Sequence, residues 1–179
     1  SFSFSVSISN VTTNDKNTVI SSSLSTLPVI INKAAYCNLK SGIPSNSQLI
    51  SNRAGWIINV EEGVEGAPNN LIDGKTGTDV ALNNKGFWFT VDLGEAKVLT
   101  GIKTNHWANA YAPREVEILQ SENGTTWKSL SSLAISGGTQ NITFISPITT
   151  RYLKYQIITI STNGRTDVTE FNVYEPKSE

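Results

Sequence analysis

From Trp56 onward the chain is cut at short intervals by pairs of turn-forming residues, and this spacing narrows the possible folds most. Asp73-Gly74, Gly94-Glu95, Asn123-Gly124, Gly137-Gly138 and Asn163-Gly164 mark the cuts. Between them lie short segments rich in Ile, Val, Thr, Phe, Tyr and Trp, at 56–60, 87–92, 98–104, 115–120, 126–130, 141–145, 152–160 and 170–174. Such side chains suit a pleated, half-buried surface. No stretch carries the 3.6-residue period of an amphipathic helix. The pattern predicts an all-β fold, an eight-stranded antiparallel β-sandwich of jelly-roll type.

Composition removes several functions. Of 179 residues, 16% are charged, too few for a charge-rich disordered chain, and 14 basic residues face 15 acidic ones. A net charge of −1 gives no global attraction for nucleic acid or anionic lipid. Arg151-Tyr152-Leu153-Lys154-Tyr155 therefore reads as a strand with alternating faces, not as a nucleic-acid patch. No apolar run reaches the roughly 18 residues of a membrane-spanning helix. The single Cys, Cys37, leaves no internal disulfide, and the single His, His106, leaves no multi-His zinc site. The lack of Met and of a leader segment points to a processed product or fragment.

The first nine residues alternate strictly, with Phe2, Phe4, Val6 and Ile8 between serines, and a second apolar stretch follows near residues 27–31. Residues 1–32 read as a β-hairpin, 33–53 as a linker, and 54–179 as the main domain.

Three groups of residues carry possible chemistry. Trp88 and Trp127 are large aromatics on or beside strands and read as core. Asp73 opens a polar turn, Asp73-Gly74-Lys75-Thr76-Gly77-Thr78, where a carboxylate and carbonyls can converge. That suits either Ca²⁺, which takes about six to eight oxygens, or an Asx-turn without an ion. The third group follows from chain direction. If 87–92 and 98–104 are antiparallel strands joined by a turn at 93–97, the loops 83–86 and 105–112 leave the sheet at one end. That end gathers Asn83, Asn84, Lys85, Asn105, His106, Trp107, Asn109, Tyr111 and Arg114, and Arg165 of Asn163-Gly164-Arg165 is a further candidate. Amides, an imidazole and cations can bond hydroxyls, while Trp107 and Tyr111 offer flat faces to the C–H groups of a sugar ring.

Several segments in order carry a resemblance: Asn69-Asn70-Leu71-Ile72-Asp73-Gly74, Trp88-Phe89-Thr90-Val91-Asp92-Leu93-Gly94, residues 116–127 ending in Asn123-Gly124-Thr125-Thr126-Trp127, Arg151-Tyr152-Leu153-Lys154-Tyr155, and Glu170-Phe171-Asn172-Val173-Tyr174. Over roughly residues 54–175 the chain resembles the coagulation factor V/VIII type C, or discoidin, family, and within it the family 32 carbohydrate-binding modules of bacterial surface proteins. The resemblance implies a discoidin-like, galactose-binding-domain-like jelly roll. It also implies a structural Ca²⁺ held by side chains of Asp73, Thr78 and Glu170 and carbonyls of Asn70, Lys75 and Thr169. Galactose binders of the family usually carry a His in the loop that here reads Asn83-Asn84-Lys85. The N-terminal hairpin is similar to the end of an immunoglobulin-like domain.

The expected function is non-catalytic glycan binding outside the cell, at its surface or in the periplasm, by a monomeric module tethered to a larger glycan-binding protein or glycoside hydrolase. The alternative is an adhesion module for membrane or protein, which needs exposed apolar spikes ringed by cations. A glycosidase needs two carboxylates about 5–10 Å apart, and the loop end offers only Glu115.

Overall fold

The computed structural model describes residues 38–178. The hairpin expected over 1–32, and Cys37, lie outside these residues. Ten strands form: β1 Leu39–Ser41, β2 Ser47–Leu49, β3 Ile57–Val60, β4 Val80–Asn83, β5 Trp88–Asn105, β6 Glu115–Ser121, β7 Lys128–Ala134, β8 Thr139–Thr159, β9 Arg165–Val168 and β10 Glu170–Pro176. A single 3-10 turn, Pro68–Leu71, is the only helical element among the described residues.

The chain is an all-β sandwich, as the sequence predicts, but the strands divide differently. The segments at 87–92 and 98–104 are one strand, β5, and those at 141–145 and 152–160 are one strand, β8. The two pair antiparallel along their length, with register shifts between Asp92 and Lys97 and between Leu99 and Gly101. The expected turn at 93–97 is thus a bulged bend. At the bend the Asp92 carboxylate accepts the Gly94 N–H at 2.8 Å, and Gly94 takes a φ of 82°.

The two halves of β5 keep different company. Residues 89–92 pair with β3 and with the C-terminal half of β8, which continues to β6 and β7. Residues 101–105 pair with β10 and with the N-terminal half of β8, which carries β1. The inner faces of the two layers meet in aromatic contacts. Phe89 stacks on its cross-strand neighbour Tyr155 within one layer, with centroids 5.1 Å apart, and Phe171 of β10 meets Phe89 edge-on at 5.2 Å from the other. Val91, Ile102, Ile118, Ile142, Leu153 and Val173 fill the space around them.

Residues 38–53 are not a linker. β1 pairs with β8 and β2 with β10, and Leu39 and Ile50 are buried in the core. Trp88 and Trp127 are half-buried rather than core. Trp88 starts β5 on its outer face, where Lys154 Nζ lies 4.7 Å from the ring centroid. The buried tryptophan is Trp56.

Candidate functional site

The loops 83–86 and 105–112 do come together, through an element that the alternation of apolar residues does not reveal. β9 pairs with β4 along Val80↔Val168 to Asn83↔Arg165 and, on its other side, reaches the loop after β5. Asp167 makes that second contact. Its N–H donates to the Tyr111 carbonyl at 3.2 Å, and its own carbonyl lies 2.5 Å from His106 Nδ1. Its Oδ1 accepts the Trp107 N–H at 3.3 Å. One fully buried residue thus fixes three positions of the 106–111 loop.

His106 and Trp107 are neighbours with opposite fates. Trp107 is 59% exposed, whereas His106 is 6% exposed. The His106 ring turns Nδ1 to a carbonyl, so that nitrogen carries hydrogen. Nε2 lies 3.1 Å from both the Thr104 hydroxyl and Gln140 Oε1. Gln140 Nε2 donates to the Pro113 carbonyl at 3.3 Å. The imidazole is thus floor beneath Trp107, not a surface group that meets hydroxyls, and this corrects its expected role.

Other residues expected at the site are also engaged within the chain. Asn109 Oδ1 accepts from Arg114 Nη1 at 2.9 Å and from the Gly137 N–H at 2.8 Å. Asn105 Nδ2 donates to Thr139 Oγ1 at 3.0 Å. Lys85 Nζ pairs with Glu61 Oε1 at 2.6 Å. Asn83 Nδ2 reaches Glu65 Oε1 at 3.3 Å, and the Asn84 N–H donates to the Gly164 carbonyl at 2.6 Å. Asn83, Asn84, Lys85 and Asn109 keep exposed surface, and Tyr111 is half-buried.

Arg165 is held by carboxylates that the sequence does not place here. Its Nη1 is 2.8 Å from Asp79 Oδ2 and 3.7 Å from Asp167 Oδ2, and its Nη2 is 3.5 Å from Glu65 Oε2. Burial works against this charge, but the hydrogen bond and charge of Asp79, with Asp167 and Glu65, outweigh it and raise the guanidinium pKa. The loop end is therefore not poor in carboxylates, contrary to the expectation from sequence.

A second cluster sits at the start of β10. Asp73 Oδ1 accepts the Lys75 N–H at 2.8 Å, and Oδ2 accepts the Thr78 hydroxyl at 2.8 Å. The Thr78 hydroxyl is also 3.4 Å from the Lys75 carbonyl. Glu170 Oε1 accepts the Gly74 N–H, and Oε2 pairs with Arg53 Nη1 at 2.8 Å. Asn70 Nδ2 donates to the Asp79 carbonyl, and the Thr169 N–H to the Asn105 carbonyl. Among the described residues no group of three His, Cys, Asp or Glu side chains is placed to hold a metal ion. The donors bordering the turn are oxygens of two carboxylates, a hydroxyl and a carbonyl, the set a hard cation takes. They fit Ca²⁺ rather than a transition metal.

Residues 51–171 match the F5/8 type C domain family. The chain belongs to this family. Among solved structures it is similar to the F5/8 type C domain of a Bacteroides fragilis protein, with 19% identity, a TM-score of 0.63, and 75% of this chain and 100% of that one covered. It is also similar to the family 32 module of Clostridium perfringens NanJ in complex with galactose, at 22% identity and a TM-score of 0.55, covering 76% and 99%. A third is CpGH89CBM32-5 of Clostridium perfringens in complex with GalNAc-β-1,3-galactose, at 18% identity and a TM-score of 0.56, covering 75% and 99%. These likenesses establish the fold. No curated protein sequence matches the chain.

Proposed function

We propose that this F5/8 type C domain is a non-catalytic carbohydrate-binding module whose site is centred on Trp107. The observation that carries the reading is the exposed Trp107 ring above a buried polar floor of His106, Asp167 and Gln140. A floor whose hydrogen bonds, save at Asp167 Oδ2, are made internally holds the loop in place. The ring then presents an apolar face to sugar C–H groups, and exposed Asn83, Asn84, Lys85, Asn109, with Asn105, Tyr111 and Arg165 at the margin, border it. The similar modules in complex with galactose and GalNAc-β-1,3-galactose support a sugar ligand.

The carboxylates at this end do not form a hydrolase pair. Asp167 is fully buried, and Asp79 is largely buried against Arg165. Only Glu65 faces solvent broadly, and glycoside hydrolysis needs two carboxyl groups facing one bond. A membrane role fits less well, because Lys85 and Arg165 beside Trp107 are already paired with carboxylates. The module works outside the cell or in the periplasm, tethered to a larger protein that it directs to glycans. Asp73, Thr78 and Glu170, with carbonyls of Asn70, Lys75 and Thr169, would hold a Ca²⁺ ion, which would supply a structural tie between the 73–78 turn and β10.

The test is a glycan array with and without a chelator, alongside liposome co-sedimentation. The reading expects glycan binding and no sedimentation. Sedimentation with anionic liposomes and no glycan signal contradicts it.

A further inference from the structure

Basic residues near a sugar site usually suggest an acidic ligand, and Lys85, Arg114 and Arg165 invite that reading. The geometry cancels it. Lys85 is neutralised by Glu61 at 2.6 Å. Arg165 meets three carboxylates, Asp79, Asp167 and Glu65, at 2.8, 3.7 and 3.5 Å. Among the described residues Arg114 pairs with no carboxylate, but its guanidinium is tied back onto the loop by the Asn109 side chain and carbonyl and by the Thr162 hydroxyl.

The patch between Trp107 and Asn83 thus holds two more carboxylates than its guanidinium can neutralise. Asp167 adds an independent sign of this imbalance. The residue is fully buried, and its Oδ2 has no hydrogen-bond donor. Asp167 Oδ1 accepts the Trp107 N–H at 3.3 Å and lies 3.7 Å from His106 Nδ1, so the carboxylate sits against the backbone that carries the aromatic platform. A buried charge is weakly screened, and its field reaches a ligand stacked above. Glu65, with its side chain 56% exposed, carries the same sign to the rim.

We propose that the Trp107 site selects uncharged or amine-bearing glycans and rejects anionic ones, such as sulfated, sialylated or uronic-acid sugars, through Glu65, Asp79 and Asp167. This rests on the sugar-binding reading above and names its ligand class. Arg165 serves as a brace between these carboxylates rather than as a receptor for an anion.

The test uses the whole chain on an array of neutral glycans, each printed beside its sulfated counterpart, with glucosamine oligomers as the amine-bearing set. Binding is read at about 0.01 M and about 1 M salt, where screening lengths are roughly 30 Å and 3 Å. Neutral glycans should exceed their sulfated counterparts by about tenfold or more at low salt, with the ratio shrinking at high salt. Glu65→Lys should shrink it at low salt, with Glu65→Gln intermediate. A ratio between two ligands does not depend on how much protein is folded. Sulfated glycans binding as well as neutral ones at low salt would overturn the proposal. So would a discrimination that neither salt nor Glu65→Lys changes, which would make shape the cause. Absence of binding to every glycan contradicts the sugar-binding reading itself and takes this inference with it.

Discussion

The Trp107 loop and the Asp73 turn lean on the same stretch of chain, yet they use their polar groups in opposite ways. Asp167 of β9 underlies the first and Glu170 of β10 the second, three residues apart. Beneath Trp107 the polar groups point inward. His106, Gln140 and Asp167 bond one another or the backbone, and what reaches solvent is an apolar ring. At Asp73 the carboxylate and hydroxyl lie at the surface and gather around a turn whose two consecutive N–H groups, Gly74 and Lys75, donate to carboxylates. One region is rigid and presents its least polar atom. The other is closed by charge and can be closed further by an ion. The chemistry that looks most functional in sequence, a lone His, is structural where it is buried.

The largest effect that could break this contrast is at Asp167. Asp167→Ala removes the acceptor of the Trp107 N–H, and leaving a buried donor unpaired costs about 1–3 kcal/mol. Denaturant unfolding should show a loss of that order. If Asp167→Ala is as stable as the parent, the inward floor is not what holds the loop.

The Asp73 turn should respond only through its ion. A ligand specific to the folded state adds about 2.7 kcal/mol when present at about 100 times its dissociation constant. Chelation should lower the melting temperature accordingly, and Asp73→Ala should be insensitive to chelator. If chelation changes nothing, the Asx-turn and the Arg53–Glu170 pair close this corner alone.

The smallest effect sharpens the comparison from outside both regions. Arg151 binds Asp92 through two hydrogen bonds, Nε to Oδ1 at 2.8 Å and Nη2 to Oδ2 at 2.9 Å. That pairing, against the opposing cost of burial, holds the Asp92 carboxyl below its usual range. A depressed folded-state pKa gives stability that is present above the unfolded value, 3.8, and is lost as pH falls through the folded one. The Asp92→Asn variant should melt slightly below the parent at neutral pH, and the gap should close as pH falls below 3.8 and through the depressed folded-state value. Sugar binding should not change. A gap that persists in acid would place the pair's contribution in packing rather than charge.

Much of the sandwich is legible because its interior follows period two. Phe89 and Val91 face inward, as do Val116 and Ile118, and Asn123-Gly124 turns where expected. The bend in β5 is less legible. Leu93-Gly94-Glu95 reads as a chain reversal, whereas pairing with β8 carries through the bulge. β9 is hidden for another reason. Arg165-Thr166-Asp167-Val168 shows no apolar alternation, because Thr166 and Asp167 are buried through hydrogen bonds rather than hydrophobicity. β1, β2 and β4 span only three or four residues, too few to establish a period. The exposure of Trp107 was legible, since it lies in a loop between strands. That Glu65, Asp79 and Asp167 join it was not, because the contacts are made across the sheet by residues far apart in sequence.

The most direct measurement is calorimetric titration of the strongest-binding array glycan into the parent chain and into Trp107→Ala, with circular dichroism and thermal melting run on both. Trp107 is exposed and outside the core, so the variant should melt as the parent does. Its affinity should fall by about 1–3 kcal/mol, roughly five- to 150-fold. A folded Trp107→Ala domain that binds with unchanged affinity would contradict the placement of the site at this loop.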